Sequence, residues 1–191
     1  MTRRLLLVLI TALILLAPAF AEEGPELPPA PAGFSWKQLE PIDAHFLVPD
    51  GWHYRFESDD RTLAYFITQT EIPEGGEFEM GLSLNVMQKM AEHTGNRDTA
   101  RFARDYIGAC REQYDAVEAW QFEKAPFKGY GCQFSDEPRP GRKITMTTLT
   151  IANTQTDTLY LLWFEAPTDQ WDEAWQIGNV LMSGFALDDN Y

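Results

Sequence analysis

The run Leu159-Tyr160-Leu161-Leu162-Trp163-Phe164 leaves neither side of an extended chain polar. Successive side chains of a strand point to opposite faces, so a strand at a solvent boundary alternates apolar with polar. A run without that alternation has to be covered on both sides. Pro167 ends the run, and Asn153 to Thr156 supply a polar turn ahead of it. Ile144–Ala152 and Asp157–Glu165 therefore read as a hairpin whose second strand is central in its sheet, with a layer packed on each face.

The neighbouring segments fit such a sheet. Trp36–Glu40 and Ala44–Val48 read as strands around a turn at Pro41, and Trp52–Glu57 and Thr62–Thr70 as strands across Ser58-Asp59-Asp60-Arg61. Further strands are expected over Phe78–Met87, Ala119–Lys124 and Lys128–Ser135. In Asp98–Tyr114 the residues Ala103, Tyr106, Ile107, Cys110 and Tyr114 recur at helical spacing, with Asp98 placed to cap the first turn. A second helix is expected to start at Thr168 or Asp169 and run to Ser183. Its stripe is Trp171, Ala174, Trp175, Gly178, Leu181 and Met182, and its stop is Gly184. Strands with one mid-chain and one C-terminal helix point to an α+β fold built on an antiparallel sheet.

The first 21 residues read as an export signal. Arg3 and Arg4 precede an uncharged apolar run from Leu5 to Ala17, which is too short to span a bilayer, and Ala19-Phe20-Ala21 offers the small residues of a cleavage site. Cleavage after Ala21 removes two arginines and no acid, taking the formal charge of the chain from −14 to −16. Residues 22–33 carry Pro25, Pro28, Pro29 and Pro31 and read as an extended linker, leaving 34–191 as a single domain. The chain is thus expected to be periplasmic or secreted, with no membrane span once the signal is gone. Its acidity excludes nucleic acid and anionic membrane surfaces as partners, because both need clustered Lys and Arg. Aromatic residues at 13% exclude a disordered acidic tail.

Ala44-His45-Phe46-Leu47-Val48-Pro49-Asp50-Gly51-Trp52 is similar to the strand–Pro–Gly–Trp opening of the PsbP-like superfamily. The closing stretch, from Leu159 through Pro167 and the following helix to Ser183-Gly184-Phe185, resembles the end of the same fold. The resemblance implies an α/β/α sandwich with a central, mostly antiparallel sheet. It also implies a protein that works by binding rather than catalysis. It carries over no catalytic residue, since the shared positions build the fold.

Candidate functional residues are few. Cys110 lies on the apolar side of the first helix, and Cys132 alternates with Tyr130 and Phe134 along a strand, so both aim at one core. In an oxidising compartment they are expected to pair, closing a loop of about 23 residues worth about 3 kcal/mol. His45, His53 and His93 supply no zinc pattern. Asp59-Asp60 and the stretch Glu71–Glu77 are oxygen-rich but lack the spacing of a calcium loop. Trp163, Trp171 and Trp175 are assigned to the core, which leaves Trp36, Trp52 and Trp120 as candidates for stacking on a ligand.

No cofactor is implied. The favoured function is an exported, non-catalytic binding or accessory protein of the cell envelope, a monomer acting on a protein partner. An envelope hydrolase using a carboxylate or histidine site is the alternative, and a protein holding a metal or ligand in an acidic loop is the third.

Overall fold

The computed structural model describes residues 27–95, 97–114 and 116–191. The signal expected over 1–21 and the first part of the linker lie outside the described residues. Its strands are β1 (Phe34–Leu39), β2 (Ala44–Pro49), β3 (His53–Ser58), β4 (Thr62–Thr68), β5 (Gly81–Met87), β6 (Glu118–Lys124), β7 (Phe127–Arg139), β8 (Arg142–Asn153), β9 (Thr158–Pro167) and β10 (Phe185–Ala186). The helices are α1 (Met90–Thr94), α2 (Thr99–Tyr114) and α3 (Trp171–Ser183). A large antiparallel sheet has the order β3-β4-β5-β9-β8-β7-β6, and a small one the order β1-β2-β10.

Strand β9, the unalternating run, is fourth of the seven. Its Tyr160, Leu162 and Phe164 join Leu82, Leu84, Leu149 and Ile151 in a core closed by α3 and the small sheet. Burying a side chain of this size stabilises by about 1.5–3 kcal/mol, which explains why this strand takes the centre. Helix α3 lies close because Gly178 faces the Phe164 ring, where a Cβ would stand 2.4 Å from a ring carbon. Trp171 and Trp175 stack at 5.2 Å beside it.

The opposite face carries α2, whose N-terminus forms as expected: the Asp98 carboxylate accepts the Arg101 N–H at 2.8 Å. Ala100 and Ala103 pack on Ala152 and Leu159, and Ile107 packs on Cys132, Phe134, Ile144 and Met146. The helix lies over β7 and β8 and scarcely reaches β9. The layers are α2, the seven-stranded sheet, and α3 with the small sheet, which is the α+β sandwich expected.

Three local readings change. The strand expected from Phe78 begins only at Gly81. The short helix α1 has no counterpart in the sequence reading, because its Met90–Thr94 segment is too short to show periodicity. Neither Thr168 nor Asp169 caps α3. Thr168–Gln170 form a 3-10 turn, and Gln170 precedes Trp171 without a side-chain cap bond. The end of the proline-rich segment lies against β1, since Trp36 Nε1 donates to the Pro28 carbonyl at 2.7 Å.

Candidate functional site

Helix α2 covers its face only in part, over β7 and β8, and beside it the sheet forms the floor of a cavity of about 710 Å³ lined by residues of β3, β4, β5, β7, β8 and β9. One wall is α2, through Tyr106, Cys110 and Tyr114, and the facing wall includes Ile72 and Phe78 from the β4–β5 connection. Pockets of about 300–1,000 Å³ are the size that holds small ligands or inserted side chains.

The floor follows from strand register. Residues directly opposite across antiparallel strands point to the same face. Arg55 faces Phe66, Phe66 faces Ser83, Ser83 faces Trp163, Trp163 faces Thr148, and Thr148 faces Cys132. One rung thus crosses the sheet from an exposed arginine to a buried thiol. Its middle is a short row of uncharged hydrogen-bonding groups: the Ser83 hydroxyl, the Trp163 indole and the Thr148 hydroxyl.

Two of these are buried without a hydrogen-bond partner among the described residues: Trp163 Nε1 and Thr148 Oγ1. The Tyr106 hydroxyl neighbours the indole but does not meet it at bonding geometry. Other β8 threonines are engaged. Thr150 donates to the Ala103 carbonyl of α2 at 3.2 Å, Thr147 to Gln133 at 3.4 Å, and Thr145 to Thr168 at 3.1 Å. Thr148 shares the face of Thr150 but lies one rung further along, where the helix no longer offers a carbonyl.

Charge gathers at one end. Glu77 accepts from Arg139 and Arg142, each at 2.6 Å, and Arg142 also donates to the Phe78 carbonyl at 3.2 Å. Glu165 lies 3.7 Å from the same guanidinium. Burial raises its carboxyl above the usual range, Arg142 opposes that rise, and Glu77 adds to it. At the other end Arg55 pairs with Glu57. Burial raises the Tyr106 phenol well above its ordinary value, so it stays protonated. The cavity thus carries four carboxylates, Glu57, Glu77, Asp136 and Glu165, against two guanidiniums, Arg55 and Arg142, under aromatic walls. Among the described residues no histidine lines it.

The residues singled out from sequence fall elsewhere. Trp36 is on β1, Trp52 follows the β2 turn and packs on the main core, and Trp120 is on edge strand β6 over Gly131. They are not brought together, and none of them lines the cavity. Cys110 and Cys132 do meet in one cluster as free thiols. Cys132 is fully buried, whereas Cys110 is half-buried and faces the cavity. Burial pushes the Cys132 thiol up to about 11 and raises Cys110 as well.

His45 and His53 lie on separate sheets. Asp59 is committed to the β3–β4 turn, accepting the Arg61 and Thr62 N–H groups at 2.8 Å, and these bonds hold its carboxyl below the usual range. Among the described residues no cluster of three or more His, Cys, Asp or Glu could hold a metal. Trp163, assigned to the core from sequence, is instead half-buried on the cavity floor. The visible hint was β8 itself: Thr145, Thr147, Thr148 and Thr150 put hydroxyls on both faces of a strand beside the most apolar one.

The structure is similar to the crystal structure of the Saccharomyces cerevisiae Ran-binding protein Mog1p, with a TM-score of 0.51 and 12% identity over 81% of this chain and 95% of that one. It also matches cyanobacterial PsbP from Synechocystis, with a TM-score of 0.47 and 12% identity over 83% and 95%. LpqN, involved in cell envelope biogenesis of Mycobacterium tuberculosis, matches with a TM-score of 0.49 and 14% identity over 81% and 91%. No family model and no curated protein matches the sequence. The likeness is one of fold alone, that of Mog1p.

Proposed function

We propose that this chain is an exported, non-catalytic accessory protein of the cell envelope, binding another protein across the half-covered face of its large sheet. One observation carries the reading: a concave sheet face left half covered by α2, with aromatic walls (Tyr106, Tyr114 and Phe78) over a floor that carries Ser83 and Asn85. A concave face of this size, apolar with a few polar groups, suits an inserted segment of a partner. The fold of a Ran-binding protein supports a binding role. The signal-like first 21 residues support export. The net charge favours a basic partner, whose association weakens as salt rises.

The test is site-specific photo-crosslinking in cells. A photoreactive residue at Gln113, on the cavity rim, is expected to trap one discrete protein. The same group at Glu173, on the exposed side of α3, is expected to trap none. Equal yields from both positions would count against this face. Sequencing the exported product is expected to start at Glu22.

A second reading, a hydrolase using Glu165 as an acid, draws on the raised proton affinity of that carboxyl. It requires a turnover that E165Q abolishes while the fold survives.

A further inference from the structure

We propose that strand β6 is the edge through which two copies of this chain join, antiparallel about Gln121, in place of the monomer expected from sequence. The site is separate from the cavity, which no β6 residue lines.

The first observation is that β6 is uncovered. It ends the seven-stranded sheet and pairs with β7 alone, so one row of its backbone N–H and C=O groups has no strand beside it. Every residue of Glu118–Lys124 is exposed except Trp120, which is half-buried, so neither layer of the sandwich covers this strand. Val117 and Phe122 are two of the three large apolar side chains that remain exposed among the described residues. The rings of Trp120 and Phe122 fold inward over Gly131 and Gly129 of β7, which leaves the outer edge clear. A strand open in this way is a template for another strand.

The second observation says which strand. Glu123 is paired with Lys128 at 3.2 Å. Glu118 and Lys124, at the two ends of β6, make no ion pair among the described residues, and their cross-strand neighbours on β7 are the uncharged Gln133 and Phe127. Centring two antiparallel copies on Gln121 sets Glu118 of each opposite Lys124 of the other, Trp120 opposite Phe122, and Ala119 opposite Glu123. Both unspent charges are then answered twice, and four aromatic side chains share one face. A lysine on an edge strand ordinarily repels a second copy, whereas here the acid at the other end receives it. The strand is its own antiparallel complement, which is what a two-fold interface requires. Local charge permits the contact: in a chain of net charge −14, Glu118 and Glu123 are balanced here by Lys124 and Lys128. The two seven-stranded sheets then run on as one of fourteen strands.

Sedimentation of the mature protein from micromolar to millimolar concentration, at about 0.15 M salt, reads the association. A reversible monomer–dimer equilibrium is expected. E118K and K124E, at exposed positions outside the core, each turn two attractive pairs into two repulsive ones and are expected to weaken the dimer about tenfold or more. An equimolar mixture of the two variants restores both pairs, and a heterodimer of parental affinity is expected. Net charge by itself predicts the opposite for E118K, which makes each copy less acidic and so less repelled. A monomer at every concentration would overturn the proposal. So would a dimer that E118K leaves unchanged or tightens, or single variants whose mixture associates no better than either alone.

Discussion

The carboxylate of Asp157 accepts the backbone N–H of Ala91 at 2.8 Å, across 66 positions of sequence. Its other oxygen accepts the Thr99 hydroxyl, and its carbonyl accepts the Met90 N–H at 3.0 Å. One residue in the β8–β9 turn, itself at φ 58°, thus fastens both α1 and the start of α2. Replacing it with alanine strands the Ala91 N–H and the Thr99 hydroxyl, while the Met90 N–H keeps its carbonyl, and leaves a left-handed residue without the side-chain hydrogen bonds that offset its strain. D157A is expected to cost about 1–3 kcal/mol in urea unfolding. D157N keeps one acceptor and tolerates that conformation, so it should cost clearly less. Equal losses would show that the carboxylate bonds are immaterial.

Gly131 lies beneath the Trp120 indole, where a Cβ would come within 2.5 Å of a ring carbon. G131A is expected to destabilise by about 1–3 kcal/mol through overpacking. Combined with W120A, which removes the obstructing ring, the loss should fall short of the sum of the two single changes. Strict additivity in a double-mutant cycle would contradict the contact.

Glu165 carries a pH dependence of definite sign. Its folded carboxyl titrates above the unfolded value because burial disfavours the charge. The contribution is therefore complete below about pH 4.3 and is lost as pH rises through the folded value. E165Q should accordingly be more stable than the parent at pH 7, with the advantage vanishing near pH 3.5. Thermal melts of both proteins at the two pH values check it, and an advantage for the parent at pH 7 would mean that Arg142 outweighs burial.

Cys110 and Cys132 are expected to be joined in protein taken from an oxidising compartment, since the fold brings them into one cluster. Denatured but unreduced protein should then show no free thiol in an Ellman assay, and C110S should cost about 3 kcal/mol. The reduced protein has a distinct signature. With Cys132 pushed up to about 11, its stability holds below about pH 8.5 and declines as pH climbs towards 11. Two reactive thiols in the unreduced exported protein would exclude the bond.

The regular part of the fold was legible because it depends on local pattern. The unalternating run of β9 marked the sheet centre, and Asp98 marked the start of α2. The candidate site was not legible. Periodicity tells which face of a strand a residue occupies. It does not tell how far a helix extends over that face.

The amino-acid order therefore determined the strands, the two long helices and the requirement for two covering layers, since each follows from alternation, capping and turn chemistry over a few neighbours. Tertiary structure alone decided that α2 stops short of β9. It likewise decided that Glu77 reaches Arg139 and Arg142 across 62 and 65 positions, and that Thr150 finds a carbonyl in Ala103 while Thr148 finds none. Those outcomes depend on the angle and reach of one element packed on another, which many distant contacts set together.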